Sequence, residues 1–136
     1  MQSDIISEYR RLKNAGWDVD KTESVKFNGG SESRPHMVVK LLAVDVCREV
    51  GYQIDTEVEG PHGVVDVLAY HPKRLNYCIE IETDASEDVI RDKKQRYVDS
   101  NQVIDEIWVL DPHTKSTEYP VVAEDIKRAL GFDYEL

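Results

Sequence analysis

Hydrophobic positions recur at helical spacing at the start of the chain. Ile5, Ile6, Tyr9 and Leu12 fall on one side of a helix over residues 3–15, which Gly16 is placed to end. Residues 17–33 are polar and glycine-bearing; VKFNGGSES reads as a loop, with a short strand around Ser24–Phe27. Helical spacing returns over residues 35–50, where Val38, Val39, Leu42, Val46 and Val50 form a stripe. Ser33 is a suitable N-cap there, Pro35 lies in the first turn where its missing N–H costs little, and Gly51 follows the last turn. The period then drops to two. YQIDTEVE (52–59) alternates as a strand, GPHG (60–63) is a turn, and GVVDVLAY (63–70) and NYCIEIET (76–83) are two further strands rich in β-branched and aromatic residues. Ser86 caps a helix over residues 87–100, with Glu87 and Asp88 favourably placed in its first turn and an inward face of Val89, Ile90, Lys93 and Tyr97. EIWVLDP (106–112) is apolar enough for a strand covered on both faces. A strand at Glu118–Val122 and a helix over residues 123–130 complete the series.

Three strands, a helix and another strand, preceded by a helix, predict an α/β protein: a mixed sheet with helices on both faces and an extra N-terminal helix. No internal repeat, low-complexity tract or linker divides it. At 136 residues the chain is most simply one domain, with residues 1–33 as an N-terminal helix and loop, a core over 34–112, and a C-terminal helix. Its 40% hydrophobic and 32% charged residues fit a soluble globular protein, and no apolar run approaches the roughly 18 residues that span a bilayer. The opening MQSDIISEYRRLK has no apolar stretch of the kind that directs secretion. Cys47 and Cys78 fall in a helix and a strand, which suits reduced core thiols in a cytoplasmic protein.

The chemistry lies in the second and third strands. A carboxylate in a strand this hydrophobic is costly unless it is paired or bound to a cation. Alternation puts Glu80 and Glu82 on the face of Cys78, and Asp66 on the face of Val64, Leu68 and Tyr70. If the two strands pair as a hairpin through His71–Leu75, the three carboxylates converge as a site for a hard cation such as magnesium or manganese. A solvated sheet face is the plainer alternative. No His/Cys set has zinc spacing, and there is no glycine-rich phosphate loop.

The ordered set Gly63-Val64-Val65-Asp66-Val67, Ile79-Glu80-Ile81-Glu82 and Ile90-x-x-Lys93-x-x-x-Tyr97 resembles the PD-(D/E)xK phosphodiesterase superfamily. This group has the restriction-endonuclease-like αβββαβ core and includes restriction enzymes, archaeal Holliday-junction resolvases and RecB-type nucleases. The resemblance covers roughly residues 34–112 and implies a magnesium- or manganese-dependent DNA nuclease. It implies Asp66 and Glu80 as metal ligands, with a carbonyl near Ile81 and an earlier acid, Glu57 or Glu49, as further contacts. Glu82 stands where such enzymes usually carry a catalytic lysine. Some relatives move that group to the following helix, which makes Lys93 the first choice and Lys94 the second. The resemblance also implies phosphate contacts from His36 and Lys40, four apart on one helix face. Arg91, Lys94 and Arg96, in the same basic knot as Lys93, extend the DNA-binding surface. Many relatives are homodimers.

The net charge of −10 works against a polyanionic partner at long range. Either the host is salt-loving, so that screening shortens the repulsion, or the charge is unevenly spread. With Glu82 in the lysine position, it also keeps open a catalytically inactive module that binds nucleic acid or protein.

Overall fold

A computed structural model describes residues 2–20, 25–26, 33–82, 86–99, 103–112 and 126–128. Its framework is a four-stranded mixed sheet built from β1 (Gln53–Gly60), β2 (Gly63–Tyr70), β3 (Tyr77–Ile81) and β4 (Glu106–Leu110). The spatial order is β1-β2-β3-β4; the first two pairings are antiparallel and β3 runs parallel to β4. Parallel neighbours need a crossover, and α3 (Glu87–Lys94) with a π-helical turn over Gln95–Asp99 supplies part of it. Helices α1 (Gln2–Asn14) and α2 (Arg34–Glu49) precede the sheet.

The sheet separates two apolar layers. On one face α2 places Val39, Leu42, Ala43, Val46 and Cys47 against Ile54, Val67, Ala69, Ile79 and Ile81. On the other, Leu12, Trp17 and Val19 join Tyr97, Val103 and Ile104 over Leu68, Tyr70, Cys78 and Ile107. Cys47 and Cys78 are free, buried and in opposite layers. Burial pushes the Cys47 thiol up to about 12 and raises Cys78 as well, so both are inert core groups.

Local signals explain the element ends. The Ser33 and Ser86 side chains accept hydrogen bonds from the backbone N–H groups of His36 and Val89, and Pro35 lies in the first turn of α2. Gly16 has a φ of 98°, and Trp17 N–H donates to the Leu12 carbonyl at 3.0 Å, so α1 ends in a left-handed turn. That turn lays the Trp17 ring on Gly60, where a Cβ atom would stand only 2.5 Å from ring carbon. Asn76 aligns β4: its carbonyl accepts from the backbone N–H groups of Asp105 and Glu106, and its amide nitrogen donates to Glu8 on α1.

Several expectations need correction. α3 carries no buried residue, and Val89 and Ile90 are 38% and 39% exposed rather than packed inward. The inward groups of this crossover are Lys93 and Tyr97, because the π turn carries Tyr97 into the layer with Trp17. Val25 and Lys26 form no strand. The remainder of that loop, the strand at Glu118–Val122 and the 123–130 helix outside a helical turn at 126–128 lie outside the described residues.

Simple alternation also fails in β1 and β2. Ile54 and Val58 share a parity yet lie in opposite layers, and so do Val65 and Val67. Both reversals fall at one level of the hairpin. Thr56 pairs with Val67 and Val58 with Val65, which sets Glu57 opposite Asp66. Glu57 has a φ of 49°, the one non-glycine in the left-handed region among the described residues.

Candidate functional site

The regular β2–β3 ladder covers Val67–Ala69 and Tyr77–Ile79. One step further, the register would pair Asp66 with Glu80. There the ladder gives way to a reciprocal clamp made by side chains. Asp66 N–H donates to Glu80 Oε2 at 3.0 Å, and Ile81 N–H donates to Asp66 Oδ2 at 2.8 Å. Each carboxylate therefore satisfies the backbone of the other strand, which is how two acids are tolerated at the end of an apolar sheet. The kink at Asp66 turns its side chain toward β3, in place of the face shared with Leu68 and Tyr70 that strict alternation predicts.

Helices on both sides supply counter-charges. From α3, Lys93 Nζ donates to Glu80 Oε1 at 3.1 Å and stands 3.4 Å from Glu82 Oε2. From α2, His36 Nε2 lies 3.4 Å from Asp66 Oδ1, and Lys40 Nζ donates to Glu57 Oε2 at 3.0 Å. Burial, then the neighbouring Asp66 charge, pushes Glu80 up to about 7, against the opposing pull of Lys93. Burial disfavours the Lys93 ammonium, but Glu80 and Glu82 outweigh it and its pKa is raised. Lys93 is therefore a charged group held between two acids.

Among the residues expected at the site, Asp66 and Glu80 adjoin, Lys93 links Glu80 to Glu82 and His36 bears on Asp66, but the expected convergence of all three carboxylates on one cation position is not found among the described residues, because the Lys93 ammonium stands between Glu80 and Glu82. Lys40 and Glu57 form an adjoining pair. Three others make no contact with these carboxylates: Arg91 pairs with Asp88, Arg96 pairs with Asp92 and lies over the Tyr97 ring, and Lys94 is exposed. Lys40, expected as a phosphate contact, is instead fully buried, on the face it shares with Ala43 and Val44, three and four positions on. Asp55 is another group that alternation places in solvent. It is buried, accepts from the Tyr70 hydroxyl and the Asp20 N–H, and is pushed up to about 7 by burial and then Asp20.

Beside Lys93 the surface opens into a depression of about 340 Å³ lined by Glu82, Asp88, Val89, Asp92, Lys93 and Arg96. Among the described residues, no three His, Cys, Asp or Glu side chains stand together as a set able to hold a metal ion. The donor chemistry nonetheless fits a hard divalent cation. The Asp66 and Glu80 carboxylates adjoin, and Glu82 Oε2 is buried without a hydrogen bond among the described residues, with the Lys93 ammonium at 3.4 Å.

The fold and site define an α/β protein with a four-stranded mixed sheet and paired carboxylates where two strands diverge. No family model, curated protein or solved structure matches the chain. No helix among the described residues is long and apolar enough to cross a membrane.

Proposed function

We propose that the protein is a metal-dependent DNA nuclease built on a restriction-endonuclease-like core, with a rearranged PD-(D/E)xK site. The observation that carries the reading is the place of Lys93. The following helix brings its ammonium between Glu80 and Glu82, beside the Asp66–Glu80 clamp. A lysine thus reaches the part of the site from which the third strand lacks one. Its side chain is 16% exposed, so substrate can reach it.

Under this reading Asp66 and Glu80 would hold a magnesium or manganese ion, which would supply a Lewis acid for a scissile phosphate and a more acidic water. The chain's own groups do the rest. His36 orients Asp66, and the Ile81 N–H fixes the other oxygen of that carboxylate. Lys93 offsets the negative charge that develops on the phosphate and aims Glu82 at the attacking water. Arg91 and Lys94 on α3 and Arg96 on the π turn after it meet the DNA backbone, and the buried reduced thiols suit a cytoplasmic enzyme. A homodimer would let two sites act on the two strands of a duplex.

A second reading is favoured by one observation. The depression beside Lys93 is lined by Glu82, Asp88 and Asp92, and the chain carries a net charge of −10. These suit a basic protein segment better than DNA and would make this an inactive nuclease-like module. Cleavage of plasmid and branched DNA in manganese, by the parent and by Asp66→Asn, separates the two. Metal-dependent cleavage lost in Asp66→Asn supports the nuclease. Intact substrates at every metal and salt concentration, with capture of a basic peptide, support the module.

A further inference from the structure

Lys40 poses a problem that stability does not solve. Its side chain is 0% exposed, and its Nζ donates to Glu57 Oε2 at 3.0 Å and to the Lys26 carbonyl at 2.9 Å. Burying an ion pair is costly, and an apolar side chain of similar volume generally serves a core as well or better. The partner is costly too. Glu57 is held at a φ of 49°, a region that disfavours any residue with a Cβ. Two unfavourable features are thus bonded to one another, at the level of the hairpin where Asp66 sits.

The geometry explains what they do together. Glu57 lies opposite Asp66, between the pairs Thr56–Val67 and Val58–Val65. Both strands exchange faces there, so Val65 and Val67 enter opposite layers. With its neighbours pointing to opposite faces, the Asp66 side chain is directed along the sheet toward β3, where it accepts the Ile81 N–H at 2.8 Å. An extended Glu57 would restore ordinary alternation and turn Asp66 toward one face. One helical turn before Lys40, His36 approaches the other Asp66 oxygen at 3.4 Å. One face of α2 therefore controls both acids of this level.

We propose that Lys40 is a positioning residue: by tethering Glu57 in its left-handed conformation it fixes the kink that aims Asp66 at β3 and at the reactive centre. The inference rests on the reading of Asp66 and Glu80 as that centre, and it deepens it by naming what holds Asp66 in place. Lys40 reaches no substrate, since its side chain is wholly enclosed.

The test uses the full chain as parent, Lys40→Met, the double variant Lys40→Met/Glu57→Gln, and Asp66→Asn as reference. The double variant removes the stranded carboxylate, so that a folded protein without the tether is obtained even if Lys40→Met alone unfolds. Two quantities are read: amide hydrogen exchange residue by residue, and manganese affinity by calorimetry. The expected result in the double variant is exchange at Asp66 and Ile81 faster by about tenfold or more relative to the regular ladder at Gln53–Asp55, with manganese affinity about ten- to a hundredfold weaker. Exchange that changes uniformly across the sheet, or manganese affinity equal to the parent's, would overturn the proposal and leave Lys40 a plain counter-charge. If the parent binds no manganese that Asp66→Asn abolishes, the nuclease reading fails instead, while the exchange pattern still decides whether Lys40 positions Asp66.

Discussion

Lys40 and Lys93 each bridge a helix to a strand carboxylate, but one is sealed in the core and the other borders an open depression. Lys40 is 0% exposed and donates hydrogen bonds to Glu57 and to a backbone carbonyl. Lys93 is 16% exposed and lies between Glu80 and Glu82, one of which is well exposed itself. The enclosed charge can only hold its neighbours in place; the accessible one can exchange a protein carboxylate for a phosphate. The same residue type at a similar distance from an acid is thus walled in at one place and open to solvent at the other, and under the proposed function that access suits Lys93 to chemistry.

The largest effect should separate the two in stability. Lys40→Met takes the enclosed ammonium away from the mostly buried Glu57 and is expected to lower unfolding stability by about 3 kcal/mol. Lys93→Met leaves Glu82, which water reaches, and Glu80, which is buried but can take up a proton, and should cost less, about 1–2 kcal/mol. Urea unfolding of both variants checks this, and equal losses would break the comparison.

Next in size, Lys93→Ala should slow single-turnover DNA cleavage in manganese about a hundredfold while leaving the fold intact. Lys94→Ala, one position on and exposed, should leave the chemical step near the parent rate. Similar small losses in both would remove Lys93 from the mechanism.

The pH dependence should be smaller and has a definite sign. Burial and Asp66 raise Glu80 from 4.5 to about 7, and burial raises Asp55 from 3.8 to about 7. In the window between those ordinary values and about 7, the folded state binds more protons than the unfolded chain. Stability therefore falls as pH rises through the window, and the full cost of ionising both groups is present above it. Melting midpoints from pH 5 to 8 should decline without metal, and Glu80→Gln should flatten the decline. A midpoint that climbs across this range would contradict the burial of these acids. Under the proposed function manganese would compete with the Glu80 proton, so its apparent affinity should rise with pH over the same interval.

The smallest effects belong to the outer side of α3. Arg91→Ala and Lys94→Ala should each alter stability by no more than about 0.5 kcal/mol. Each should lower the salt dependence of DNA binding by about one unit of slope, as loss of one phosphate contact does. An unchanged slope would place the DNA elsewhere on the molecule.

Much of the framework could be read from local patterns, because local patterns create it. Ser33 and Ser86 cap helices wherever their side chains can accept a nearby N–H, and the period-two stretches of β1, β2 and β3 cannot bury one face as helices. The neighbourhood of Asp66 and Glu80 followed from the hairpin between them, and Lys93 from its helical offset to Tyr97. The exposure of Val89 and Ile90 did not follow, since a helix pattern states which residues share a side and not whether a layer covers it.

What the sequence by itself determined is the succession of elements and the set of acids and bases each one carries, because caps, turns and hydrophobic period act over a few residues. Tertiary structure alone decided how those groups are used. The left-handed Glu57, the reversal of faces at Asp66 and the enclosure of Lys40 depend on a contact between α2 and β1 across 17 positions of chain. The placing of Lys93 between Glu80 and Glu82 depends likewise on packing α3 against the end of the sheet. A charge far from its partner in sequence has no local pattern to announce it; its environment exists only once the layers have closed around it.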